Sequence, residues 1–93
     1  MRVKTHPGEI LLEEYMRPLG LSVRGFATVL RVSPTTISSL VNEKRDLTPD
    51  MACRLAIALK TSPHFWMNLQ TAHSLSKEKI QKAKEYKSIQ AVA

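Results

Sequence analysis

Cysteine occurs once in the 93 residues, at Cys53. An internal disulfide is excluded, and so is a site built from paired thiolates. Cys53 falls in the apolar pattern MACRLAIAL, which predicts a small buried residue rather than a reactive thiol. Glycine is scarce, with three copies, and no Gly-rich loop could cradle a phosphate. No apolar run approaches the ~18 residues needed to span a bilayer. The opening MRVKTHPGEI has no apolar stretch suited to a signal peptide, so the expected location is the cytoplasm. No segment alternates as a half-buried strand does, which predicts an all-α fold. Acidic residues are few: 8 Asp and Glu stand against 14 Lys and Arg, a net charge of +6. Such a balance on one small domain suits a polyanionic partner.

Chemistry of other kinds finds no footing. His6, His64 and His73 are scattered without metal-ligand spacing, so no metal or other cofactor is expected. Glu13 and Glu14 are adjacent and would point apart on a helix, a poor acid–base pair. No nucleophile has a base beside it. The chain is therefore not read as an enzyme, and no catalytic residue is assigned.

What is present is punctuation. Ser33-Pro34, Thr48-Pro49 and Ser62-Pro63 repeat one signal, a hydroxyl N-cap followed by proline at the first helical position. Each pair predicts a helix start. A first helix is expected from Pro7 or Gly8 to Arg17, with Ile10, Leu11, Tyr15 and the following Leu19 on its apolar side. Pro18 is expected to stop it and Gly20 to allow the turn. Ser22 caps a second helix reaching Leu30. The third runs from Pro34 to Val41 or Asn42, and the fourth from Pro49 to Leu59 or Lys60. In the fourth, Met51, Leu55, Ala58 and Leu59 would line one side. A fifth opens at Pro63, and a last one starts after Ser76. Phe65 and Trp66 read as core or dimer contact rather than as base-stacking platforms.

Residues 22–42, SVRGFATVLRVSPTTISSLVN, carry the functional signal. Two short helical patterns stand back to back, with Phe26, Ala27, Leu30, Ile37, Leu40 and Val41 apolar. Ala27 is small enough to let Ile37 on the next helix come close. The second of these helices then offers Thr35, Thr36, Ser38, Ser39 and Asn42 outward. That is the layout of a helix-turn-helix, whose second helix enters the major groove of DNA. Thr35, Thr36 and Ser39 are the candidate base readers: a threonine hydroxyl can bond several bases, and its methyl can touch a thymine methyl. Arg24, Asn42, Lys44 and Arg45 are the candidate phosphate contacts. The blander alternative is an exposed helix merely solvated by Thr and Ser, flanked by an ordinary basic surface.

The runs HPGEILLEEYMRPLGLS and FATVLRVSPTTISSLVNEKRDLTPDMACRLAIALKTSPHFWMNLQ resemble the HigA-type antitoxins of the Xre (Cro/C1-type) helix-turn-helix group. The likeness covers about His6 to Gln70. It implies a five-helix Cro/C1-type domain, placed over residues 1–75; the basic C-terminal helix or tail over 76–93 lies outside the firm part of the likeness and is read from its lysines and thin apolar stripe. It implies a homodimer on a palindromic operator that represses its own operon. It also implies a HigB-type mRNA-cleaving toxin as protein partner. The same positions, Thr35, Thr36 and Ser39, fall where the family reads bases, and Asn42 where it meets phosphate. Three residues depart from the wider pattern. Arg31 replaces the turn glycine and must take a left-handed or otherwise strained backbone. Val23 stands where Gln is frequent, and Pro34 where a polar reader often sits. Gly25 weakens the second helix by about 1 kcal/mol relative to Ala. The Phe65–Leu69 region and the tail are the candidate dimer contacts. Two rival readings are a stand-alone repressor with no toxin, and a protein-binding module that does not touch DNA.

Overall fold

The computed structural model describes residues 2–93, and among these there is helix and no strand. Six helices follow one another. Helix α1 begins at Pro7–Ile10, widens into a π-helical stretch at Leu11–Met16 and closes at Arg17–Leu19. Helix α2 is Val23–Leu30, α3 is Pro34–Val41, α4 is Pro49–Leu59, α5 is Pro63–Gln81 and α6 is Ala83–Lys87.

The helix starts follow the punctuation. Ser22, Ser33, Thr48 and Ser62 each accept a hydrogen bond from the backbone N–H three residues on, at Gly25, Thr36, Met51 and Phe65. Each bond satisfies a donor that the helix itself cannot. The helix ends share a second device. After α1, α2, α3 and α4 the chain turns through a left-handed residue, at Gly20, Arg31, Glu43 and Lys60. Paired return bonds tie off the last carbonyls at three of these turns: Leu21 N–H to Met16 and Gly20 N–H to Arg17, Val32 N–H to Ala27 and Arg31 N–H to Thr28, then Lys44 N–H to Ser39 and Glu43 N–H to Leu40. Arg31 accordingly takes the left-handed backbone that its replacement of a glycine requires, at φ 58°.

The core joins all but the last helix. Leu11 and Met16 of α1, Phe26, Ala27 and Leu30 of α2, and Ile37 and Leu40 of α3 are buried together with Met51, Ala52 and Leu55 of α4. Trp66 of α5 is fully buried, at 0% exposure, with its Nε1–H donating to Thr61 Oγ1 at 2.8 Å. Its place is therefore the core of the chain rather than a dimer contact. Tyr15 and Phe65 lie against its ring, with centroids 5.4 and 5.0 Å away.

Five expectations need correction. Pro18 does not stop α1. The π-helical turn before it, in which Arg17 N–H reaches the Leu12 carbonyl, widens the helix where a proline ring would otherwise strike the preceding turn. Leu19 is exposed rather than part of the apolar face. Cys53 and Ala58 are also exposed: α4 buries Met51, Ala52, Leu55 and Ala56, one stripe at helical spacing, and both residues fall off it. Lastly, no new helix starts after Ser76. Its hydroxyl donates to the His73 carbonyl one turn back and accepts from Lys4 N–H, so it is satisfied inside a continuous α5. The break falls at Lys82 instead.

Lys60 is exposed and left-handed, with φ 57°. The Cβ cost of that conformation is roughly 1–2 kcal/mol, partly offset by the extra chain entropy a glycine loses. Lys60→Gly is expected to stabilise the fold by about 0.5–1 kcal/mol, read as a rise of a few degrees in the thermal midpoint.

Candidate nucleic-acid interface

Helices α2 and α3 pack with Ala27 and Ile37 both buried, at 1% and 0% exposure. Both belong to one apolar core, and Ile37 is the inward side of α3. The opposite side of α3 carries hydroxyls and an amide. Thr35 and Asn42 are exposed; Thr36, Ser38 and Ser39 are half-buried. Their side chains are not all free. Thr36 Oγ1 lies 2.9 Å from Ser33 Oγ, the cap hydroxyl, so its rotamer is held by the start of its own helix. Asn42 Nδ2 donates to Ser38 Oγ at 3.4 Å. Thr35 and Ser39 have no such partner among the described residues.

The cations bracket this helix. Arg24 is exposed in the first turn of α2, and Lys44 and Arg45 are exposed in the loop that follows α3. The ion pairs among the described residues are Arg17–Glu13, Arg54–Asp50 and Lys82–Glu78, so none of them occupies these three cations. Glu43 and Asp46 flank the Lys44–Arg45 pair in sequence and temper its charge locally. Arg54 has a different duty. Its Nη1 donates to the Leu30 carbonyl at 2.8 Å while Nε pairs with Asp50, which ties α4 to the end of α2.

Three residues that the sequence reading did not single out for the site hold this face in place. Gly8, in the first turn of α1, abuts the last turn of α3: a Cβ built on it would run into the Leu40 carbonyl. His6 caps α1 with its ring. Nδ1 accepts from Gly8 N–H at 2.9 Å, and Nε2 lies 3.1 Å from the Arg45 carbonyl. With Nδ1 accepting, the ring proton sits on Nε2 and is donated to Arg45. Gln70, buried on α5, accepts from Leu47 N–H at 2.7 Å through Oε1 and donates to Ser74 Oγ. The 42–48 loop with Lys44 and Arg45 is thus fastened by a buried histidine at one point and a buried glutamine at another. The signal for His6 and Gly8 was the HPG corner before an apolar run. A histidine cap is not among the usual hydroxyl and amide caps, so it passes unnoticed without the fold.

Burial, and then the His73 ring 4.8 Å away, hold the His6 imidazole below its ordinary value; Glu43, the Arg45 carbonyl and Asp46 pull the other way. No group of His, Cys, Asp and Glu among the described residues could hold a metal ion. None of the helices there is long and apolar enough to cross a membrane.

Comparison with known proteins agrees with this geometry. A family described as helix-turn-helix matches residues 12–66. Virulence-associated protein I of Dichelobacter nodosus is 47% identical over 70 residues, covering 75% of this chain and 65% of that protein. The curated relatives first matched are longer, and the chain spans just under two thirds of their length. Among solved structures, antitoxin GraA superposes with a TM-score of 0.94 at 41% identity, over 99% of both chains. The Pseudomonas aeruginosa antitoxin HigA, solved with the higBA promoter, gives 0.92 at 36% identity, over 99% of this chain and 100% of that one.

Gly8→Ala tests the corner. The new methyl forces α1 away from the Leu40 carbonyl, which costs about 1–3 kcal/mol for an overpacked contact. The expected outcome is a lower denaturant midpoint with an unchanged slope, because the backbone on which it closes cannot yield as a flexible side chain would.

Proposed function

The chain belongs to the helix-turn-helix family, in the Xre (Cro/C1-type) group related to the HigA-type antitoxins, and we propose that it binds a palindromic operator as a homodimer, represses its own operon and neutralises a HigB-type mRNA-cleaving toxin. It is a regulatory chain and not an enzyme. One observation carries the DNA-binding part: the hydroxyl side of α3 faces outward between unpaired Arg24, Lys44 and Arg45, on a backbone that superposes on an antitoxin solved with its promoter.

In this reading α3 lies in the major groove. Thr35 and Ser39 meet base edges with free hydroxyls. Thr36, oriented by Ser33, presents its methyl and remaining hydrogen-bonding capacity. Asn42, Lys44, Arg45 and Arg24 take phosphates, helped by the Thr35 N–H in the first turn of α3. No arginine or glutamine on α3 is available for bidentate readout of guanine or adenine. Sequence choice therefore leans on DNA shape, ordered water and the spacing of two half-sites about one helical turn apart, roughly 34 Å.

Dimer contact is assigned to the exposed apolar residues of α5 and beyond. Phe65, Leu75 and Ile80 are exposed on α5, and Tyr86 and Ile89 continue outward on the arm that stretches the molecule to 50 Å. An isolated helix with so thin an apolar stripe gains from a partner helix. The toxin as partner is supported by the likeness to antitoxins alone.

The test is a gel-shift titration with duplex from upstream of the chain's own gene. Thr36→Ala is expected to weaken binding by about 1–3 kcal/mol and to relax sequence choice. Arg45→Ala is expected to weaken binding to all duplexes alike and to reduce the log–log salt slope by about 0.9. If neither variant moves the titration, α3 does not read DNA. A stand-alone repressor is told apart by mixing the chain with the neighbouring gene's product: a stable complex that blocks RNA cleavage is expected, and the absence of one removes the toxin.

A further inference from the structure

The HPG corner joins three segments that meet at one ring. His6 stands between the start of α1, the loop after α3 and the middle of α5. Its Nδ1 holds Gly8 N–H, its Nε2–H holds the Arg45 carbonyl, and the His73 ring stacks edge-on against it. His73 in turn has Nδ1 2.7 Å from the Lys4 carbonyl, which fixes the stretch leading into His6. His6 is 3% exposed. A neutral imidazole can accept at one nitrogen and donate at the other; an imidazolium can only donate. A proton added at Nδ1 would face the Gly8 N–H, which cannot turn away without opening the first turn of α1.

Resting on the operator-binding reading above, we propose that His6 is a positioning residue for the DNA-contact face: its neutral ring latches the Arg45 loop to α1, and protonation of the ring releases the latch, so operator affinity falls on acidification.

The surroundings set the direction. From the loop, Glu43 and Asp46 face His6 and favour its charged form. From α5, His73 opposes it, and Lys77 and Glu78 stand beside His73 and Asp46. From α1, Gly8 offers a backbone donor that only the neutral ring can accept. Burial outweighs the two carboxylates, so the ring is lowered from 6.5 in the latched fold. The unlatched or unfolded chain therefore binds the proton more readily than the latched one. The latch is intact above the ordinary histidine range and is lost progressively as pH falls below it. This runs against the generic trend, in which extra positive charge on a basic protein tightens its hold on DNA.

The experiment measures affinity for the upstream duplex between pH 5.5 and 7.5 at fixed salt, for the unaltered chain and for His6→Asn. Asparagine still caps a helix but does not titrate. Histidine ring signals and the Arg45 and Asp46 backbone amides are followed by NMR on the unaltered chain over the same range. Affinity of the unaltered chain is expected to drop about fivefold or more on acidification, while His6→Asn varies within about twofold. The His6 ring is expected to be the Nε2–H tautomer at pH 7.5, and its titration to move both amides. Parallel pH profiles for the two proteins overturn the proposal. So does a His6 that titrates like a free imidazole without moving those amides. A His6→Asn variant that does not fold leaves the NMR measurement to decide. No duplex binding at any pH by a folded chain refutes the operator reading, and the affinity claim goes with it, whatever the ring signals say about the latch.

Discussion

The first turn of α1 comes so near the last turn of α3 that only a residue without a side chain fits between them. Gly8 meets the Leu40 carbonyl there. That approach fixes the axial position of α3 from its C-terminal end, while the buried Ile37 and Leu40 hold its inner side in the core. The loop with Lys44 and Arg45 begins where α3 ends, so its position follows from the same contact. A candidate DNA surface made of two helices and a loop acquires one shape because a third helix is wedged against their junction.

Apolar burial cannot by itself produce such definition. It is proportional to area and indifferent to direction, and Ile37 or Leu40 would be nearly as well buried with α3 rotated slightly. The directional terms are polar. His6, Gln70 and Ser76 are buried and bonded to backbone groups of segments far away in sequence: Arg45, Leu47 and Lys4. Every buried side-chain nitrogen or oxygen among the described residues has a partner. A buried group left unpaired costs about 1–3 kcal/mol, so other registers of the loop are disfavoured by that amount for each bond they break. In the proposed operator-binding reading, the exposed cations need such support as a set, since phosphate spacing is fixed by the duplex.

Much of the local structure could be read from the residues because its causes are local. A hydroxyl followed by proline starts a helix wherever it occurs, and Ser33, Thr48 and Ser62 each do so. Ser22 does the same without proline. A residue departs from its local signal where another group or the register of its own helix changes what it does. Ser76 resembles a cap, but Lys4 and the His73 carbonyl satisfy its hydroxyl, and the helix continues. Pro18 would end an ordinary α-helix, but the wider turn before it makes room. Cys53 has apolar neighbours in sequence, yet on α4 it lies off the buried stripe.

The amino-acid order by itself determined where helices begin, that α2 and α3 form a helix-turn-helix, and which polar residues α3 turns away from Ile37. Each of these depends on spacing within a few residues, and 3.6-residue periodicity with cap chemistry is enough to express it. Only the tertiary structure decided that His6, Gly8 and Gln70 govern the placement of the Arg45 loop. Contacts spanning dozens of residues follow from how the helices dock. That docking is set by the sum of close approaches across the whole chain, and no short window of residues contains it.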